Sequence, residues 1–77
     1  MTLTLYTTRY CSFCDRVKDD LDRRAIAYEE VTVPVIRSQR DELFRLTGQR
    51  RVPVLVDDGA VIHESTRILV HLARNYS

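Results

Sequence analysis

A chain of 77 residues, 44% hydrophobic and 30% charged, has room for a single domain at positions 1-77, near the lower limit of a self-supporting core. A formal net charge of +1 gives no reason to expect nucleic acid or a membrane as partner. No apolar stretch reaches membrane-spanning length and no signal-peptide pattern opens the chain, so the expectation is a cytoplasmic protein in a reducing compartment. Eleven of the twelve basic residues are arginine, Lys18 being the exception. Genome composition accounts for most of that bias, and some of these arginines could grip carboxylates in bidentate pairs.

Thr2 to Thr7 alternates polar and apolar residues and reads as a first strand. From Ser12 to about Arg24, Phe13, Val17 and Leu21 recur every four residues among charged ones, which is an amphipathic helix. Ala27 to Val33 reads as a second strand closed by Pro34. A second helix is expected from about Ile36 to Leu46, with apolar Leu43, Phe44 and Leu46, and with Gly48 ending it. Val52 to Val56 is the most apolar strand. Asp57-Asp58-Gly59 is a hairpin turn into a fourth strand, Ala60 to His63. A last helix starts at Glu64 or Ser65, buries Ile68, Leu69 and Leu72, and places Tyr76 near its end. Strand-helix-strand implies a parallel pair with a right-handed crossover, and the hairpin adds two antiparallel strands. The expected architecture is α/β: a βαβαββα order, with a four-stranded mixed sheet flanked by three helices.

The chemistry centres on Cys11-Ser12-Phe13-Cys14, which holds both cysteines of the chain. A Cys-x-x-Cys where a strand runs into a helix is a place for a reactive thiol. Cys11 sits at the helix start, where unpaired N–H groups and the helix dipole favour an anion, and Arg9 lies two residues upstream. Cys14 lies one turn further in and should be less exposed. The arrangement suits an attacking Cys11 and a resolving Cys14. Two other readings compete. A buried apolar pair would explain Cys14 but not Cys11. A four-ligand zinc site would need His63 and His71, whose spacing falls outside the common pattern, so no protein-only metal site is expected.

Together these residues resemble the glutaredoxins of the thioredoxin-like superfamily over nearly the whole chain. Leu5-Tyr6-Thr7 leading into Cys11-Ser12-Phe13-Cys14 is similar to the family's first strand and C-P-Y-C site. Val52-Pro53 is similar to its T-V-P loop, and Asp58-Gly59 with the following strand to its terminal hairpin. Thr32-Val33-Pro34 spells T-V-P too, but it closes a strand where the family's proline opens one. The resemblance therefore implies a cis bond at Pro53, with the Val52 backbone turned toward Cys11. Ser12 and Phe13 depart from the family's Pro and Tyr. Glu64-Ser65 before the last helix resembles instead the N-terminal domain of glutathione S-transferases. There the Ser holds the γ-glutamyl carboxylate of glutathione and the acid lies near its amine. The alternative is a plain helix cap at Ser65.

The resemblance implies a glutathione-disulfide oxidoreductase, or protein-disulfide reductase, with Cys11 and Cys14 catalytic. Arg9, Phe13, Arg50, Arg51, Val52, Pro53, Glu64 and Ser65 would then hold glutathione, Arg50 taking its glycine carboxylate. Glutathione is the implied reductant, and disulfide-containing or glutathionylated proteins are the implied partners of a monomer. Two alternatives stay open. Some glutaredoxins with Ser after the first Cys hold a [2Fe-2S] cluster between two subunits through that Cys and glutathione, which would make Cys11 a metal ligand. In the other, thioredoxin reductase replaces glutathione as electron donor. A transferase proper is not expected, since it would need a further helical domain after Ser77.

Overall fold

A computed structural model describes residues 3–76. The first strand, β1 (Leu3–Thr7), is followed by α1 (Ser12–Arg23), β2 (Glu29–Thr32), a short 3-10 turn (Arg37–Gln39), α2 (Asp41–Thr47), β3 (Val54–Asp57), β4 (Ala60–His63) and α3 (Ser65–Asn75). Thr2, expected to open β1, lies outside the described residues. The strands form one mixed sheet in the order β2-β1-β3-β4, parallel between β1 and β2 and antiparallel elsewhere. The expected four strands and three helices are present. Among the described residues no helix is long and apolar enough to cross a membrane.

The alternation in β1 decides which face each helix covers. Leu3 and Leu5 join Leu55 of β3 on one face, where Val17 and Leu21 of α1 and Ile68 and Leu72 of α3 close over them. Tyr6 and Val54 point the other way and meet Leu43 of α2 and Val33. A strand period of two set against a helix period near four builds a core on each face of the sheet. The hairpin loop Asp58-Gly59 has φ of +50° and +92°, the left-handed pair that a two-residue turn between twisted strands needs.

Three expectations shift. The second strand is shorter than Ala27–Val33 and exposed throughout, because it is an edge whose outer side meets no other strand. Its Glu30 accepts a hydrogen bond from Thr7 Oγ1 at 2.7 Å, which holds that carboxyl below the usual range, and Lys18 adds to the effect. The expected single helix at Ile36–Leu46 is broken at Arg40, which leaves the helical region (φ -96°, ψ 52°). Only Leu43 of the expected apolar face is buried; Phe44 and Leu46 are 44% and 45% exposed. Leu69 is only half-buried. The first helix ends without a glycine: Ala25 takes φ +56°, and the Ala25 and Ile26 N–H groups return to the carbonyls of Asp22 and Leu21.

Leu55 is fully buried at the centre of the larger core. Leu55→Ala is expected to cost about 2–5 kcal/mol, against a total near 5–15 kcal/mol for a domain of this size. Urea unfolding should show a lower midpoint at an unchanged slope.

Candidate functional site

Pairing register brings three chain segments to one end of the sheet. Tyr6 near the end of β1 pairs with Val54 at the start of β3, and Val54 pairs with His63 at the end of β4. The residues just outside these pairs therefore converge: Cys11 after β1, Val52-Pro53 before β3, and Glu64-Ser65 after β4. They line one cleft of about 680 Å³. The Val52-Pro53 peptide bond is cis, as the resemblance implied.

Cys11 caps α1. Its carbonyl accepts the Asp15 N–H at 3.1 Å and its Sγ accepts the Cys14 N–H at 3.2 Å. Both cysteines are free thiols; Cys11 is half-buried at the cleft and Cys14 is buried. Burial pushes the Cys14 thiol up to about 12, and the contact with Cys11 adds to the rise. Beside them, Tyr10 is 96% exposed with φ +58° and Phe13 is 56% exposed.

The opposite wall is the start of α3. Ile68 N–H bonds the Glu64 carbonyl at 3.0 Å, as the first intrahelical bond of α3. The N–H groups of Ser65, Thr66 and Arg67 are therefore unpaired within the helix. Ser65 is buried and lines the cleft. Glu64 adopts φ +70° and ψ +135°, a conformation that L-residues hold only under constraint, at a cost on the order of 1–3 kcal/mol. Its carboxylate is 3.4 Å from Arg67 Nε.

Of the glutathione contacts expected from sequence, Phe13, Arg51, Val52, Pro53, Glu64 and Ser65 line the cleft with Cys11, while Arg9 and Arg50 do not. Arg50 pairs with Asp41 at 3.4 Å and stacks its guanidinium 4.2 Å from the centre of the Phe44 ring. It lines a shallower depression of about 380 Å³ with Arg37 and Ser38, and Arg37 belongs to both hollows. Among the described residues no group of three or more His, Cys, Asp or Glu side chains could hold a metal ion. His63 contacts Gln49, and His71 lies 2.8 Å from Asp57 on the other face of the sheet.

Sequence reasoning missed Arg37 and Arg40, which also line the cleft. Arg40 is 7% exposed and donates to three carbonyls: Pro34 at 2.7 Å, Val35 at 3.0 Å and Arg50 at 2.7 Å. A guanidinium carries five N–H donors, so this buried cation keeps spare donors, and among the described residues it makes no ion pair. One sequence signal was available: an arginine two residues after a would-be helical Ser38, at the point where the apolar periodicity fails.

This four-stranded sheet, with a Cys-x-x-Cys facing a cis-proline, defines a thioredoxin-like protein. A family model described as glutathione S-transferase, N-terminal domain, matches residues 5–77. A putative glutaredoxin of Mycobacterium tuberculosis is 37% identical over 62 residues, covering 78% of this chain and 74% of its own. Prostaglandin E synthase 2 of Danio rerio is 31% identical over 77 residues, which is 99% of this chain and 19% of that protein. Glutathione transferase E6 from Drosophila melanogaster superposes with a TM-score of 0.88 at 32% identity, over 99% of this chain and 36% of its own. The chain thus spans about a fifth of the fish synthase and little more than a third of the fly transferase. It belongs to the glutathione S-transferase N-terminal-domain family, and glutaredoxins are among its relatives.

The two thiols should react unequally. At pH 8 the raised pKa keeps Cys14 protonated, and burial shields it. Iodoacetamide on the native protein is expected to alkylate Cys11 first, with Cys14 labelled only after unfolding, as read by peptide mass spectrometry. Equal labelling of both would contradict this geometry.

Proposed function

We propose that the chain is a glutathione-dependent thiol–disulfide oxidoreductase in which Cys11 attacks and Cys14 can resolve. The observation that carries this reading is a half-buried Cys11 at the cleft whose sulfur accepts the N–H of a buried Cys14, with a helix start and Arg40, which makes no ion pair among the described residues, lining the same cleft.

The Cys11 thiolate attacks the glutathione sulfur of a mixed disulfide. The substrate's S–S bond breaks, a Cys11–glutathione disulfide forms, and the substrate leaves as a thiolate that takes a proton from water. A second glutathione thiolate then attacks that disulfide, releasing glutathione disulfide and restoring Cys11. Alternatively Cys14 attacks Cys11 Sγ, expels glutathione, and gives its own proton to the departing thiolate. A Cys14 pushed up to about 12 makes this second route slow near neutral pH. The external-glutathione route should therefore dominate.

Glutathione presents two carboxylates at opposite ends. The open N–H groups at the start of α3, with Ser65, suit the γ-glutamyl carboxylate. Arg40 and its neighbour Arg37 suit the glycine carboxylate, and Arg50 shares the second hollow with Arg37. Val52 lines the same cleft as Arg37 and Arg40. The names of the relatives, glutaredoxin and glutathione transferase, support the same ligand.

Turnover of a glutathione mixed disulfide, coupled to glutathione reductase, tests the reading. Cys11→Ser is expected to abolish it, and retained activity would refute the assignment. Cys14→Ser should keep most deglutathionylation but lose reduction of protein disulfides. Ser65→Ala should raise KM for glutathione by about ten- to a hundredfold, in keeping with about 1.5–3 kcal/mol for a lost hydrogen bond to a charged group, with kcat little changed.

A further inference from the structure

The cleft is charged unevenly. Among the described residues Arg37, Arg40 and Arg51 line it against a single acid, Glu64, which already lies 3.4 Å from Arg67. Yet the whole chain is almost neutral, at +1. The other acids stand on α1, β2, the start of α2 and the hairpin turn, outside the cleft. Glutathione uses part of this excess. Its two carboxylates are met by the α3 start and by the wall that Arg40 and Arg37 form. Arg51 is left over. It is exposed, and among the described residues it makes no ion pair. It lines the same cleft as Tyr10 and Phe13, which are 96% and 56% exposed. An exposed cation sharing a cleft with two exposed aromatic residues is a surface for a polypeptide, and its charge selects an acidic one.

We infer that the protein substrates of this site present their glutathionylated cysteine within an acidic segment, which Arg51 receives beside the rim formed by Tyr10 and Phe13. This rests on the oxidoreductase reading above. The glutathione half of the mixed disulfide occupies the cleft and becomes bonded to Cys11. The acidic half lies over the rim and leaves as the thiolate, which takes a proton from water. An exposed charge of this kind acts mainly on the rate of encounter, so its effect fades as salt screens it.

The experiment uses two glutathionylated peptides of one length, identical except that the cysteine is flanked by aspartates in one and lysines in the other. A glutathione–cysteine mixed disulfide serves as a small substrate. The readout is the ratio of kcat/KM for the two peptides on the same protein, so a general loss of glutathione handling cancels. At low ionic strength the acidic peptide is expected to be favoured on the order of tenfold, and the ratio should fall toward one in molar salt. Arg51→Ala should cut the low-salt ratio by about threefold, and Arg51→Glu should bring it to one or below. A ratio near one in the unaltered protein, with the small substrate turned over, would overturn this inference and leave the oxidoreductase reading standing. A ratio unchanged in Arg51→Glu would overturn the role of Arg51. Failure to turn over any of the three substrates would overturn both readings.

Discussion

The site depends on a ladder register. Tyr6 opposite Val54, and Val54 opposite His63, place the end of β1, the start of β3 and the end of β4 at one end of the sheet. Each strand in this set is short, so its flanking residues have nowhere to go but the shared end. A slip of one residue between β1 and β3 would put Leu5 and Leu55 on opposite faces of the sheet and carry Cys11 away from Val52-Pro53 in the same step. Burial of Leu5, Leu55, Val17 and Leu72 therefore holds the geometry of the thiol site as well as the stability of the fold.

A second constraint acts through Arg40. Its guanidinium joins the carbonyls of Pro34, Val35 and Arg50, and so ties the connector after β2 to the segment entering Val52-Pro53. The interruption between the 3-10 turn and α2 falls at this residue. The broken helix and the cleft wall thus have one cause. A continuous helix through Arg40 would not have brought these three carbonyls around one side chain. The cation left at the cleft is then a product of how the wall is held.

Much of this was legible in the chain. Strict alternation in β1, a four-residue period in α1 and a hairpin signal at Asp58-Gly59 are local patterns, and they gave elements within a residue or two of those observed. Cys11 and Cys14 are adjacent on one helix start, so their unequal burial follows from a single turn of helix. Val52-Pro53 and Glu64-Ser65 needed the family resemblance, since neither dipeptide carries chemistry by itself. Beyond the break in apolar periodicity at Arg40, little marked Arg37 and Arg40 in the sequence, because what makes them part of a site is three carbonyls and a cleft contributed by other segments. Arg50 fits the family's pattern in sequence, but in space Asp41 and Phe44 hold it at the neighbouring hollow. The exposed β2 reads as a strand with a buried side only if its place at the sheet edge is unknown.

The backbone at Glu64 carries a tension between folding and recognition. With φ +70° and ψ +135°, this position would be easier for glycine than for any other residue. A library screened for thermal stability alone would drift toward glycine there. Such variants would fold well and lose the acid beside the helix start. On the proposed reading, a glutamate held in a glycine's conformation trades robustness for recognition, and a stabilising change at residue 64 should be mistrusted until its binding is measured.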